Sequence, residues 1–423
     1  MNPLAPRRPV AAALAFLLIV WGFASCNLPS SPAPVQPIKV GILHSLTGTM
    51  AISERSVVDA TLLAIEELNA RGGVLGRKIE PIVVDGQSDE ERFAALADQL
   101  IHEDQVSVLF GCWTSASRKH VKPVVEGADH LLFYPVQYEG LEQSSNIIYT
   151  GAAPNQQIIP AVKWSFDHLG KKFFLIGSDY VFPRTANAII KAQVNALGGE
   201  IVGEYYLPLG AHEVAEAVQA IVQAQPDVIL NTINGDTNET FFTSLRAAGV
   251  SADTTPTMSF SIAEDELSTL GPKNLEGDYA VRNYFQSIDT EENRGFVKRF
   301  QARYGAHRVT DDPMEAGYFG VYLWAQAVEA AGSDQPSLVR RALADRSVLA
   351  PEGIVSVDGA TNHTWKTVRV GQIQRDGQFT ILWTSDHAIQ AVPYPPYRSQ
   401  TEWEDFLHRL YVQWGNRWAR PHS

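Results

Sequence analysis

Residues 111–140, GCWTSASRKHVKPVVEGADHLLFYPVQYEG, decide the fold, because an apolar strand ends in a polar, aromatic turn twice within this stretch. Val106 to Phe110 reads as a buried strand by its apolar run, and Thr114-Ser-Ala-Ser then starts a helix with hydroxyls placed to cap its free N–H groups. Leu131 to Tyr134 is a second strand, stopped by Pro135. In an open α/β sheet, ligands sit beyond the carboxyl ends of the strands, so Trp113, Thr114, Ser115, Tyr134, Val136 and Gln137 are expected to line one crevice. None of these side chains is charged. Aromatic walls, hydroxyls, an amide and a helix N-terminus suit a small neutral polar ligand, whose carbonyl oxygen can take the orphan donors. The same residues also fit an ordinary βαβ unit with Trp113 and Tyr134 packing its rim. On either reading Arg118, Lys119 and His120 fall on the solvated face of the helix. Cys112 reads as a small buried hydrophobe or as a nucleophile, and His120 does not by itself complete a Cys/His pair.

Outward from this stretch, repeated βα units imply a parallel sheet with helices on both faces. Upstream come a strand at Val40 to Leu43, a helix near Val57 to Asn69, a strand at Ile79 to Val84 and a helix near Glu90 to His102. Ser45 to Thr49 follows the first strand, which puts its hydroxyls on the crevice edge or makes them turn and cap residues. Gly72-Gly73 and Gly76 lack phosphate-loop spacing and read as a helix stop. Downstream, the chain crosses over near Tyr149-Thr-Gly-Ala, and the alternation restarts with a strand at Lys172 to Gly177. Asp179-Tyr180-Val-Phe182-Pro183 ends that strand, again placing aromatics at a carboxyl end, before a helix that runs to Leu197 and stops at Gly198-Gly199. The strand Val228 to Ile233 ends in Asn234-Gly235-Asp236-Thr-Asn238, either a helix-capping turn or a second crevice edge. Thr257 to Ser261 repeats the pattern, so two lobes can face each other across a cleft.

Ala280 to Phe285 is expected to return the chain to the first lobe, ahead of helices at Glu291 to Arg303 and Glu315 to Ala331. Strands at Ile354 to Val357, Trp365 to Val370 and Phe379 to Trp383 complete the body. The tail from Pro393 carries Trp403, Trp414 and Trp418, a pattern of docking on the chain's own body or on a partner.

The chain has 423 residues with 45% apolar content, enough for two domain cores, and its 31 Gly and 24 Pro are ordinary for α/β structure. Its 34 Lys plus Arg against 47 Asp plus Glu leave a net charge of −13, which disfavours nucleic acid or an anionic membrane surface as main partner. At the N-terminus, Arg7 and Arg8 precede an apolar run from Val10 to Phe23 and then Ala24-Ser-Cys26. Fourteen apolar residues are too few to span a bilayer comfortably, so residues 1–26 read as a signal peptide. Its end resembles a bacterial lipobox, although Phe23 stands where Leu is usual. That implies a lipidated Cys26 as the mature N-terminus, anchoring an exported, periplasmic or cell-surface protein to the membrane. Residues 27–37, rich in Pro and Ser, read as a flexible tether. With Cys26 so used, Cys112 has no disulfide partner.

Taken together, VGILHSLTGTMAISE, GGVLGRKIEPIV, FGCWTSASRK, LLFYPVQYEGLE, YTGAAPNQQIIPA, GSDYVFPRTAN, INGDTN, SFSIAEDEL, NYFQSIDTEEN and DPMEAGYFGVYLW resemble the urea-binding subunit of bacterial urea ABC transporters. The likeness runs from about Ile38 to the Val392 region, within the type I periplasmic binding proteins. It implies an α/β fold of two Rossmann-like parallel-sheet lobes, joined by three crossovers near residues 150, 280 and 350, with a ligand cleft between them. Lobe 1 would comprise residues 38–150 and 284–350, lobe 2 residues 151–283 and 351–392, and the tail residues 393–423. Related cytosolic amide-sensing regulators place ligand contacts at positions matching Trp113, Ser115, Tyr134, Val136, Gln137, Tyr180, Phe182 and Asn234; with Ser45, Thr114 and Gly235 these form the expected site. Trp113 and Phe182 stand where those sensors carry tyrosine, and Val136 and Gln137 replace threonine and proline, departures that favour urea over an amide.

The expected function is therefore capture of urea and its delivery to a permease, without catalysis, cofactor or metal. The alternative is a receptor for short aliphatic amides or amino acids, in which Glu54, Asp85, Glu139, Asp236 or Glu264 would hold the ammonium. An amidohydrolase using Cys112 is the remaining class; the chain has no HxH or HExxH spacing, no GxSxG, and no third group to activate the thiol.

Overall fold

A computed structural model describes residues 36–421 together with Met1, Pro3 and Ala5. The apolar run of the expected signal peptide, the lipidation at Cys26 and most of the expected tether lie outside the described residues. No helix among the described residues is long and apolar enough to cross a membrane.

The first lobe opens with β1 (Ile38–His44), α1 (Ala51–Ala70), β2 (Ile79–Asp85), α2 (Glu90–His102), β3 (Leu109–Gly111), α3 (Ser115–Gly127), β4 (Leu132–Tyr134) and β5 (Ile147–Tyr149). These strands form a parallel sheet in the order β2-β1-β3-β4-β5. Helices on both faces bury its central strands, which is why they read as continuous apolar runs rather than alternating ones. Local chemistry fixes the helix starts. Asp89 caps α2 by accepting the Arg92 N–H, with Glu90 and Glu91 in the first turn, and Thr114 caps α3 by accepting the Ser117 N–H. A Cβ at Gly111 would lie 2.1 Å from the Leu43 carbonyl oxygen, so only glycine lets the β3–α3 turn pass this close beneath β1.

The second lobe follows with α4 (Ile158–His168), β6 (Lys172–Ser178), α5 (Val181–Leu197), β7 (Glu200–Leu207), α6 (Ala215–Ala224), β8 (Val228–Thr232), α7 (Thr237–Ala247), β9 (Thr257–Ser259), α8 (Glu264–Leu270) and β10 (Tyr279–Arg282). The chain then adds α9 (Glu291–Tyr304), α10 (Asp312–Ala331), α11 (Pro336–Leu343) and a small antiparallel sheet of β11 (Ser347–Ala350), β12 (Gly353–Val357) and β13 (Thr364–Trp365) to the first lobe. It ends with β14 (Arg369–Ile373), β15 (Phe379–Thr384) and α12 (Gln400–Gln413) on the second. The second sheet has the order β15-β14-β10-β9-β8-β6-β7, antiparallel only where β14 and β15 join.

Three expectations need correction. Ala280 to Phe285 returns the chain to the first lobe only in its second half: β10 still pairs with β9 and β14 in the second sheet, and the crossing is at Asn283. The third crossover is not near 350, because Ala350, Val355 and Val357 pack in the first lobe's core and β13 pairs with β12. Residues 365–370 are accordingly not one strand but the end of β13, the crossover at 366–368 and the start of β14. Asn283 ties all the crossovers together, its Nδ2 donating to the Gln156 carbonyl of the first at 3.2 Å and the Thr367 carbonyl of the third at 3.1 Å. Asp312 takes the Asn283 and Tyr284 N–H groups at 2.6 and 2.8 Å, which holds the hinge against α10.

Candidate functional site

The carboxyl ends of the two sheets face each other across a closed cleft. Between them lies a cavity of about 20 Å³, lined by Ser45, Glu54, Thr114 and Ala116 of the first lobe and by Tyr180 of the second. The β-to-α turns bring these together: Ser45 follows β1, Thr114 and Ala116 begin α3, and Tyr180 precedes α5. α1 starts at Ala51, a turn and a half before the apolar periodicity of Val57 onward, because Ser53, Glu54 and Ser56 are buried toward the cleft rather than exposed.

Of the expected residues, Ser45, Thr114 and Tyr180 line the cavity. Ser45 is held by its neighbours: its N–H donates to Glu54 Oε2 at 2.8 Å and its hydroxyl accepts the Ser88 N–H at 2.9 Å. Trp113, Ser115, Tyr134, Val136 and Gln137 are buried on the β3 and β4 side. The Tyr134 hydroxyl donates to the Trp113 carbonyl at 2.7 Å, and Gln137 Nε2 reaches across the lobes to the Phe260 carbonyl at 2.9 Å. Trp113 Nε1 and Gln137 Oε1 are buried without partners among the described residues. Such groups are costly when nothing meets them, and neither residue lines the cavity. Phe182 instead packs in the second lobe's core, 6.3 Å centroid to centroid from Tyr180. Asn234 folds back on its own loop, donating to the Thr232 carbonyl at 3.3 Å. Gly235, at φ +73°, lies against the first lobe: a Cβ there would come 2.8 Å from Thr49 Oγ1. The Thr49 hydroxyl also donates to Asp236, so two lobe edges meet here.

Behind Ser115 lies a charged network that periodicity placed in water. Arg118 is fully buried, not on a solvated face. Its Nε donates to Glu142 at 2.9 Å, and its terminal nitrogens donate to Ser115 Oγ at 3.0 Å and Glu139 at 3.4 Å. The guanidinium sits 4.7 Å over the Tyr134 ring and 4.5 Å over Tyr138, while Lys119 adds a 2.9 Å pair to Glu142. Burial pushes the Glu142 carboxyl up, but Arg118, Lys119 and Lys122 together hold it well below the ordinary carboxylate range. Ser115 donates to Glu139 and accepts from Arg118, so toward a ligand its hydroxyl is left as an acceptor. His363 closes the network; burial pushes it down to about 4, so its neutral ring accepts the Tyr138 hydroxyl proton through Nε2 while Nδ1 donates to the Thr361 carbonyl at 2.8 Å.

The acids considered for an ammonium group are dispersed. Glu54 lines the cavity. Asp85 takes the Leu46 N–H at 2.8 Å and the Thr47 hydroxyl, Glu139 belongs to Arg118, Asp236 to Thr49, and Glu264 takes the Gln286 N–H at 2.7 Å. No group of His, Cys, Asp and Glu side chains among the described residues is arranged to hold a metal. Cys112 is buried, and burial followed by Glu54 pushes its thiol far up, the opposite of an activated nucleophile. Native protein is therefore expected to leave Cys112 unlabelled by a thiol reagent until denaturant is added, and Cys112→Ala to bind ligand as the parent does. Labelling at native rates comparable to a free thiol would show that the thiol is exposed.

The end of the tail also reaches this cavity, through Ala419. α12 is capped by Ser399 and Glu402 and buries Trp403 and Trp414 in the second lobe's core. Beyond it Ala419 reaches the cavity and pairs with Tyr180 as an isolated antiparallel bridge. No periodicity signals such a contact, since the partners lie far apart in the chain.

Comparison with known proteins places this geometry. A family of periplasmic binding protein domains matches residues 38–400. The chain is similar to the Leu/Ile/Val-binding protein homolog 6 of Brucella suis biovar 1, 21% identical over 378 residues that cover 86% of this chain and 94% of that one. A limonene hydroxylase of Geobacillus stearothermophilus is 33% identical over 124 residues, 29% of this chain and 23% of that protein, so the chain spans under a quarter of that relative. Among solved structures, an R. palustris ABC transporter solute binding protein in complex with 4-hydroxybenzoate superposes with a TM-score of 0.76 at 23% identity, covering 84% of this chain and 98% of that one.

Proposed function

The chain belongs to the periplasmic binding protein family, and from that premise we propose that it is the exported solute receptor of an ABC transporter that captures urea. It binds without catalysis and presents the closed form to a permease. The observation that carries the reading is the size of the cleft. At about 20 Å³, against about 10–15 Å³ for one water and roughly 150 Å³ for a cavity that holds benzene, the closed cleft has to widen for any ligand and least for one of four heavy atoms. The polar lining agrees with a small amide-like ligand. The hydroxyls of Ser45, Thr114 and Tyr180 line the cavity and offer hydrogen bonds to such a ligand. Lipidation at Cys26 would anchor this receptor to the membrane.

A second reading, an amino-acid receptor, is favoured by one observation: the buried Glu54 carboxylate lines the cavity and is suited to an ammonium group. The name of the Brucella relative points the same way.

Calorimetric titration against urea, acetamide, leucine and 4-hydroxybenzoate separates the readings. Urea has four heavy atoms, and about −1.5 kcal/mol per atom is the ceiling for tiny ligands, so the expected Kd is roughly tens of micromolar or weaker. Saturable heat with leucine or 4-hydroxybenzoate, and none with urea or acetamide, would replace the reading.

A further inference from the structure

The body matched to the family ends at residue 400, yet the chain continues through α12 and then returns to the cleft. Trp403 and Trp414 fasten α12 to the second lobe. The segment that follows reaches the cavity and touches both lobes. On the second lobe the bonds are backbone to backbone: the Val181 N–H donates to the Trp418 carbonyl at 2.9 Å, and the Arg420 N–H donates to the Asp179 carbonyl at 3.1 Å. The Arg420 guanidinium adds a 3.2 Å pair to Asp179. On the first lobe the contacts are side-chain only. The Lys119 ammonium lies 4.7 Å from the centre of the Trp418 ring, and Arg417 stands 4.0 Å from Glu91. Ala419, between these two sets, is a wall of the cavity.

We propose that residues 417–420 form a strap that completes the ligand cavity and gates exchange, an inference that rests on reading this cavity as the ligand site. Two asymmetries support it. The strap is held to the second lobe by directional backbone bonds and to the first by side chains alone, a cation–π contact to the largely buried Lys119 and a long, exposed ion pair of little strength. When the lobes part, the strap therefore leaves Lys119 and Glu91 and stays with Asp179–Val181. Moreover, Tyr180, which lines the cavity from the second lobe, is bridged to Ala419. The strap thus sets where Tyr180 stands as well as covering it. A ligand inside the closed cleft is walled in part by the tail, through Ala419.

The test compares the full chain with a chain ended after Asn416, which keeps α12 and both buried tryptophans. It includes the point variant Trp418→Ala, which keeps the backbone bonds. Melting temperatures of all three should agree within a few degrees. In stopped-flow measurements with urea, both association and dissociation rate constants should rise about tenfold in the shortened chain, with Kd changing less than either, and Trp418→Ala should fall between. A second readout does not depend on the ligand. In an Ala116→Cys background, modification at position 116 by a small methanethiosulfonate, followed by peptide mass mapping, should run about tenfold faster without residues 417–423. Accelerated modification in a protein that fails to bind urea would retain the strap and reject the urea reading. Unchanged exchange and unchanged modification in a chain that binds urea would overturn the strap.

Discussion

Arg118→Met is expected to destabilise the protein by about 3–5 kcal/mol, the largest single effect outside the apolar core. The reason is what it leaves behind rather than what it removes. Glu139 and Glu142 are both buried and both face this guanidinium, at 3.4 and 2.9 Å. Without it, Lys119 alone faces two carboxylates out of water. Ser115 also loses the donor that orients its hydroxyl, so ligand affinity should fall along with stability. Adding Glu139→Gln to Arg118→Met should restore part of the loss, because the buried charges that remain, Lys119 and Glu142, form a 2.9 Å pair; the two changes together should cost less than their sum. Denaturant midpoints at constant m-value provide the measurement. A loss below about 1 kcal/mol for Arg118→Met would show that water reaches the network.

Ligand affinity should fall about tenfold between pH 6 and pH 8, through Asp265. This residue lies in α8 of the second lobe and is buried in the closed form against the Ser56 hydroxyl of α1. Burial, and then the neighbouring Glu266 carboxylate, push its carboxyl up to about 7, against the lowering influence of Ser56 and Arg308 from the first lobe; Asp59 adds to the rise. Opening the cleft separates α8 from α1 and returns Asp265 toward its ordinary value. The closed form therefore holds a proton that the open form releases. Closure is favoured below the open-form value, loses that advantage progressively above it, and has lost nearly all of it once the pH has risen through 7. Glu264, pushed up to about 8 chiefly by burial, moves overall stability in the same direction. Urea titrations at pH 6, 7 and 8 measure the slope, and Asp265→Asn should flatten it. A flat profile in the parent, or an unaltered slope in the variant, would remove Asp265 from the closing equilibrium.

What could be read in the chain was whatever is local. α2 runs from Glu90 to His102, where its cap, acidic first turn and apolar spacing put it, and β6 and α5 follow their sequence signals for the same reason. The polar turns at Ser45, Thr114 and Tyr180 could be assigned to one cleft, because βα alternation alone brings carboxyl ends to one edge. Arg118 could not: a guanidinium at the start of a helix looks solvated until Glu139 and Glu142, both more than 20 residues onward, fold over it. The split of 365–370 between two sheets was equally hidden, since Trp365-Lys-Thr-Val-Arg-Val370 is β-prone throughout, with apolar and polar residues in both halves, and only the burial of Lys366 against Glu352 marks the crossing. The meeting of Trp418 with Val181 depends on the whole fold being in place.

The close approach of Gly235 to Thr49 gives the cleft a mechanical stop. Gly235 brings no side chain to this contact and already meets the Thr49 hydroxyl and carbonyl, so the lobes cannot advance further and the gap left for a guest is set by the protein and not by the guest. A molecule too small for that gap leaves empty space that costs roughly 24 cal/mol for each cubic ångström. One too large props the lobes apart before Thr49 reaches Asp236. The receptor thus measures its ligand as a caliper with a fixed jaw does, by whether the jaws reach the stop.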